Sequence, residues 1–159
     1  MLKTIIVADD MTGANVSNSL LAKNGLTVGT LIASGDISNY TDFDALGVHT
    51  DSRGFTKEAA YQSVYDEVKA LEDVDVAFYN KRIDSTLRGN LGAETDALLD
   101  ALGEDEIAIV VPSFPNSGKI VIGNYMLVNG DPLEKTDVAN DPTTPVTTSQ
   151  VSVVFAQQT

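Results

Sequence analysis

Residues 4–25 read TIIVADDMTGANVSNSLLAKNG, and the fold turns on how this stretch divides. Thr4–Ala8 is an unbroken aliphatic run, whereas Ala14–Lys23 sets Val16, Leu20 and Leu21 on one side of a helix that Asn24-Gly25 closes. A short run that is continuously rather than alternately apolar marks a strand buried on both faces, the condition of a parallel strand between helices. The same alternation continues along the chain. Thr27–Ala33 reads as a second strand and Ala45–His49 as a weaker third. Thr56 can cap a helix reaching Leu71, with Ala60, Val64 and Val68 recurring every four residues. Val74–Tyr79 is strand four, Leu91–Leu102 a helix closed by Gly103, and Ile107–Val111 strand five. The expectation is an α/β fold: a doubly wound, mostly parallel sheet with helices on both faces.

Beyond Pro112 the texture changes. Ile120–Ile122 and Met126–Val128 are short β-like runs, and Asn129-Gly130 is a strong turn signal, so a β-hairpin-like insertion should follow the fifth strand. DPTTPVTTSQ (Asp141–Gln150) is a connection, after which Val151, Val154 and Phe155 form one apolar helix face. That face is expected to be exposed to a partner or to another domain, and an alternation ending on a short helix points to a chain cut inside a larger protein.

The 159 residues suffice for one domain, and 43% hydrophobic with 21% charged residues is the composition of a folded chain. Without cysteine there are neither disulfides nor thiolate metal ligands. No apolar run approaches a membrane span, and Met-Leu-Lys-Thr leads straight into a strand with no signal peptide, so a soluble, cytoplasmic protein without a membrane partner is expected. The net charge of −13, from 23 acidic and 10 basic residues, argues against nucleic acid as a partner. Lys81, Arg82 and Arg88 nevertheless fall within eight residues, and Arg53 and Lys119 each sit beside a turn signal. An acidic protein that gathers its cations on loops fits a small anion; the bland alternative is charge for solubility.

In open α/β sheets ligands bind beyond the carboxyl ends of the strands. There the sequence has Asp9–Gly13, His49–Arg53, Lys81–Asn90 and Pro112–Lys119. Each has an ordinary explanation. Asp10 or Thr12 can cap a helix, Arg53 can be an exposed turn residue, Ser85-Thr86 and Asn90 can be caps, His49 can be packing, and Gly13, Gly89 and Gly118 can serve tight turns. The conjunction is more informative. Lys81, Arg82, Asp84 and Arg88 in one loop repel and desolvate one another unless an anion is held. Arginine offers a planar fork for a carboxylate, lysine a point charge, and Asp10 and Asp84 suit hydroxyl groups. A polyhydroxy acid fits such a site, and a helix beginning near Asn90 would add its positive end.

The strings ADDMTGAN (Ala8–Asn15), HTDSR (His49–Arg53), KRIDSTLRGN (Lys81–Asn90), VPSFPNSGK (Val111–Lys119), LVNGDPL (Leu127–Leu133) and TDVANDPTTPV (Thr136–Val146) occur in this order. With them the chain resembles the four-carbon acid sugar kinases over nearly its whole length, most specifically through IDSTLRGN. The resemblance implies an ATP-dependent kinase that phosphorylates a hydroxyl of threonate, erythronate or 3-oxo-tetronate. It makes residues 1–159 an incomplete sugar-acid-binding N-terminal domain, with Mg2+ and ATP held mainly by a C-terminal domain absent from this chain. The substrate residues it implies are Asp10, Arg53, Lys81, Arg82, Ile83, Asp84, Ser85 and Arg88. Arg53 and Lys81 are expected on the carboxylate of the acid, and Asp10 and Asp84 on its hydroxyls. No residue receives a catalytic or metal-binding role, and Gly118-Lys119 lacks the GxxxxGK[ST] frame of a P-loop. Where relatives usually carry aspartate after Ala-Asn, this chain has Val16. The expected partners are the sugar acid and either the C-terminal domain or a second copy.

Other readings fit less well. A receiver domain would need a lysine ending strand five, where Val111-Pro112 stands, and would leave the last residues unexplained. A haloacid dehalogenase-type phosphatase wants Asp-x-Asp after strand one, where the aspartates are adjacent. A non-catalytic small-acid binding module, or a fragment of the kinase, is the alternative that uses the same residues.

Overall fold

Four parallel strands carry the site: β1 (Leu2–Ala8), β2 (Val28–Thr30), β3 (Ala45–His49) and β4 (Val76–Arg82), in the order β2-β3-β1-β4. The computed structural model describes residues 2–32, 40 and 42–159, so Ala33, the expected end of the second strand, lies outside the described residues. The register sets Ala8 beside both His49 and Arg82, which brings three carboxyl ends level. Helices make the connections from β1 to β2, α1 (Met11–Lys23), and from β3 to β4, α2 (Lys57–Lys69), and α3 (Leu91–Leu102) follows β4. Asp10 and Thr56 cap the first two through side-chain oxygens that accept from Gly13 N and Ala59 N.

Both faces of the sheet are covered. Ile5, Val7, Leu46 and Val48 meet Val64 and Val68 of α2 and Ala97, Leu98 and Ala101 of α3 in one core. On the other face α1 lies close over β3; a Cβ at Gly47 would come within 2.7 Å of Asn18 Nδ2 and 3.4 Å of Ala14 Cβ. This is the expected doubly wound architecture. Among the described residues no helix is long and apolar enough to cross a membrane.

Several boundaries and one strand differ from the sequence reading: β1 begins two residues earlier, at Leu2, and β2 is only Val28–Thr30, Leu31 and Ile32 lying outside it. β4 begins later and continues through Lys81 and Arg82, so these cations lie on a strand, not in the loop that follows. Ile107–Val111 does not join the sheet: it is extended chain, with Ile107, Ile109 and Val111 86%, 87% and 71% exposed. It faces β4 across a groove of about 470 Å³ lined by Val76–Lys81 and Glu106–Val111. β-propensity records how well side chains suit a covered, pleated surface, and nothing among the described residues covers this run.

After that run the chain makes an antiparallel sheet of β5 (Lys119–Ile122), β6 (Tyr125–Val128) and β7 (Asp131–Pro132). Gly123-Asn124 and Asn129-Gly130 link the strands, all four residues having positive φ, as two-residue hairpin turns require. The last helix, α4 (Val151–Ala156), corrects the expectation of an exposed apolar face: Val151 and Val154 are buried in a second core with Leu87, Leu91, Met126, Leu133 and Val146, and Phe155 packs against it.

Candidate functional site

Arg53 is the hub at the carboxyl ends of the strands. Its Nε and Nη2 donate to the two oxygens of Asp9 at 2.7 and 3.0 Å, a bidentate fork, and its Nη1 lies 2.8 Å from Asp10 Oδ2. Asp84 Oδ1 is 3.8 Å from Nη2. Burial works against the guanidinium charge, but the hydrogen bonds it donates to Asp9 and the carboxylates of Asp9, Asp84 and Asp10 outweigh it and hold Arg53 above its ordinary value. Asp10 has a double task, since its other oxygen accepts from Gly13 N at 2.6 Å and caps α1. The cap reading of Asp10 is therefore realised, and the same side chain also pairs with Arg53.

Asp84 organises the loop after β4. Its Oδ2 accepts from Thr86 N, Thr86 Oγ1, Arg88 N and Arg88 Nε, and its Oδ1 from Arg88 Nη2 at 2.9 Å. Burial would raise this carboxyl, yet the hydrogen bonds from Arg88 and Thr86, with the charges of Arg88 and Arg53, hold it far below the usual carboxylate range. Arg88 also reaches Asp141 at 3.1 Å. Hydrogen bonds donated to Asp84, opposed by partial burial, raise Arg88, while backbone N–H groups of Thr144 and Thr143, together with Arg88, lower Asp141 to about 2. Gly89, at φ 92°, lets the loop lie against Arg53; a Cβ there would come within 3.2 Å of Arg53 Cγ.

Lys81 does not enter this cluster through a free charge. Its ammonium is 2.6 Å from Glu94 Oε2, the two side chains being 7% and 2% exposed, and it donates to the Arg82 carbonyl at 3.1 Å. Neither cation expected on the substrate carboxylate is thus without an internal partner. Arg82 is: among the described residues no hydrogen bond or ion pair engages its guanidinium. It lines a pocket of about 250 Å³ with Asp84, Ser85, Ser113, Val16 and Phe114. Gly13 brings the two clusters together, because a Cβ there would lie 2.8 Å from Asp10 Oδ1 and 3.2 Å from Arg82 Cγ. Of the other expected residues, Ser85 is on the pocket wall, and Ile83, also at its edge, packs against the second core. The start of α3 is not open to an anion. Asn90 makes no side-chain cap, donating instead to the carbonyls of Ser52 and Phe55, and Gly92 N is taken by Gln158 Oε1 at 2.7 Å.

Asp9 and Ser52 lie in strand-end stretches, and Asp141 in a motif, that the sequence singled out, but none of them received a role there. Glu94 was missed altogether, though it is a carboxylate in register with Leu91, Leu98 and Ala101 on the buried stripe of α3. Asp9, Asp10 and Asp84 converge on the Arg53 guanidinium rather than on an open position for a cation. Among the described residues no group of three histidine or carboxylate side chains is arranged to hold a metal ion.

A family model for a sugar-binding N-terminal domain matches residues 4–159. The chain belongs to this family of sugar-binding N-terminal domains. Its relatives include a D-erythronate kinase of Heliobacterium modesticaldum, 46% identical over 99% of this chain and 36% of that protein. A D-threonate kinase of Salmonella typhimurium is 33% identical over 99% of this chain and 37% of its own length. A crystal structure from Bordetella bronchiseptica, a domain-swapped dimer with bound citrate, is 35% identical and superposes with a TM-score of 0.90 over 96% of this chain and 39% of that one. The sugar-binding domain described here therefore spans little more than a third of the length of the relatives it matches.

Proposed function

We propose that this sugar-binding domain holds the acid substrate of an ATP-dependent kinase that phosphorylates a hydroxyl of a four-carbon sugar acid, with D-erythronate and D-threonate as the leading candidates. One observation carries the reading: a pocket at the carboxyl ends of the strands is lined by Arg82, whose guanidinium has no partner among the described residues, and by Asp84, which also lies 3.8 Å from the Arg53 guanidinium that Asp9 and Asp10 hold. Arg82 takes the acid's carboxylate with its planar fork. Asp84, on the pocket wall with Ser85 and Ser113, accepts from one hydroxyl, and Asp10, off that wall but beside Arg82 across Gly13, accepts from another. Asp84, held far below the carboxylate range, is a weak proton acceptor, so its task is to orient a hydroxyl rather than to deprotonate it. Phosphoryl transfer asks mainly for positioning and for stabilised charge, and this domain supplies the positioning of the acceptor. The nucleotide and its Mg2+ are brought by the further length that the related kinases possess. The citrate held by the Bordetella relative supports recognition of a hydroxy acid.

Binding of D-erythronate, D-threonate and citrate by thermal shift and calorimetry tests this. A hundredfold excess over Kd stabilises the fold by about 2.7 kcal/mol. Arg82→Ala should keep its unfolding midpoint, having no internal partner to lose, while its Kd for the acid rises about 10- to 100-fold. Unchanged binding in Arg82→Ala overturns the assignment. Binding without phosphorylation by the full-length gene product would favour a small-acid binding protein over a kinase.

A further inference from the structure

Glu94 lies outside every residue so far set against the sugar acid, yet it ties the site together from beneath. It sits in the first turn of α3, and each of its oxygens has one buried partner: Oε2 is 2.6 Å from Lys81 Nζ, and Oε1 accepts from Ser52 Oγ at 2.6 Å. A buried carboxylate is costly unless its lone pairs are taken, and here the takers come from two different strand ends. Ser52, fully buried, also has its hydroxyl 2.7 Å from Thr50 Oγ1, and its carbonyl accepts from Asn90 of the same helix start at 3.2 Å.

The turn held this way is not relaxed. Asp51 has φ 51°, a left-handed conformation that residues other than glycine adopt sparsely, aspartate and asparagine more readily than the rest. Its carboxylate is 3.1 Å from His49 Nδ1 without hydrogen-bond geometry, so that contact does not secure it. Strain of this kind persists where the surroundings over-determine it, and it gathers at working sites. Immediately after the turn comes Arg53, all three of whose nitrogens meet Asp9 and Asp10.

We infer that Glu94 is a positioning residue of the acid-binding site: acting through Ser52 it holds the Thr50–Arg53 turn, and with it the guanidinium that spaces Asp9, Asp10 and Asp84. This rests on the acid-binding reading above. Lys81 supplies the counter-charge that allows the carboxylate to be buried there. An amide at position 94 would offer one acceptor where the carboxylate offers two, so Ser52 and Lys81 would compete for it.

The test is calorimetric Kd for D-erythronate and D-threonate in the full-length gene product, each variant measured well below its own unfolding midpoint. Glu94→Gln, Ser52→Ala and Arg53→Lys are made singly and in pairs. Glu94→Gln and Ser52→Ala are each expected to raise Kd about tenfold, and neither should raise it more than about twofold further in the Arg53→Lys background, because both act through Arg53. Lowered midpoints with Kd within about twofold of wild type would show a purely structural role and overturn the inference. Losses that multiply with Arg53→Lys would overturn it too, since Glu94 would then act by another route. If Glu94→Gln does not fold, Ser52→Ala and its pair with Arg53→Lys decide the matter alone. Should Arg53→Lys itself leave Kd unchanged, the route through Arg53 falls and the inference with it; should wild type bind neither acid, or Arg82→Ala bind as wild type, the acid-binding reading falls, an outcome distinct from failure of Glu94 alone.

Discussion

Replacing Asp84 by asparagine should separate the stability of the site from its chemistry. The carboxylate is 8% exposed and both its oxygens are engaged, one with Arg88 Nη2 and, farther off, Arg53, the other with two donors each from Thr86 and Arg88. An asparagine keeps one acceptor and turns an NH2 group toward donors that have nowhere else to go. Breaking a buried pair by removing one partner costs about 3–5 kcal/mol. Here Arg88 is 31% exposed and retains Asp141, which brings the expectation down to about 2–3 kcal/mol. For a chain of this size that is a fall of about 4–12 °C in Tm. Urea unfolding followed by far-UV circular dichroism, repeated over a pH series, measures it. The sign follows from linkage. The folded carboxyl titrates below the unfolded value of about 3.9, so its stabilisation is complete above that pH and is lost as pH falls toward the folded value. The gap between wild type and Asp84→Asn should therefore be constant from about pH 5 to 8 and narrow below about pH 4. A gap under about 0.5 kcal/mol at neutral pH, the range of an ordinary surface substitution, would refute the reasoning. So would a gap that widens in acid.

Two further substitutions probe what lies beneath the site. Lys81→Met strands the buried Glu94 carboxylate without its counter-charge and should cost about 3–5 kcal/mol in denaturant unfolding; a loss below about 1 kcal/mol would mean that the pair is not formed. Gly92→Ala would put a Cβ 2.6 Å from the Phe155 carbonyl and 2.8 Å from Gln158 Cβ, prising α4 from α3. Helix propensity alone would favour the alanine by about 1 kcal/mol, so a net destabilisation of about 1–3 kcal/mol, with faster amide exchange at position 92, identifies the packing as the cause.

Much of the fold was legible because its signals are local. A run such as Thr4–Ala8, the cap at Thr56, the stop at Gly103 and the Asn129-Gly130 turn act through neighbours a few residues away, and all four stand as read. The ends of β1 and β3 were legible too, and although β4 runs past its expected end at Tyr79 to Arg82, the region where Asp10, Arg53 and Asp84 meet was legible with them. Ile107–Val111 shows where such signals stop: it has the composition of a strand, but a strand also needs an edge to bond and a layer to cover it.

By itself the sequence determined the order of strands and helices, the turns between them, and which polar residues gather at one end of the sheet. Only the tertiary structure decided which of those charges remain available. Lys81 and Arg82 are adjacent and look alike in sequence, yet one is buried against Glu94 of α3 while the other lines the pocket beside Asp84. Arg53, which alone reads as a free fork, is claimed by Asp9 and Asp10 from β1's end. Neighbours along a strand point to opposite faces, so register and helix packing, not proximity in the chain, assign each charge its partner. A charge withdrawn from water must find that partner nearby, and the fold settles which one it is.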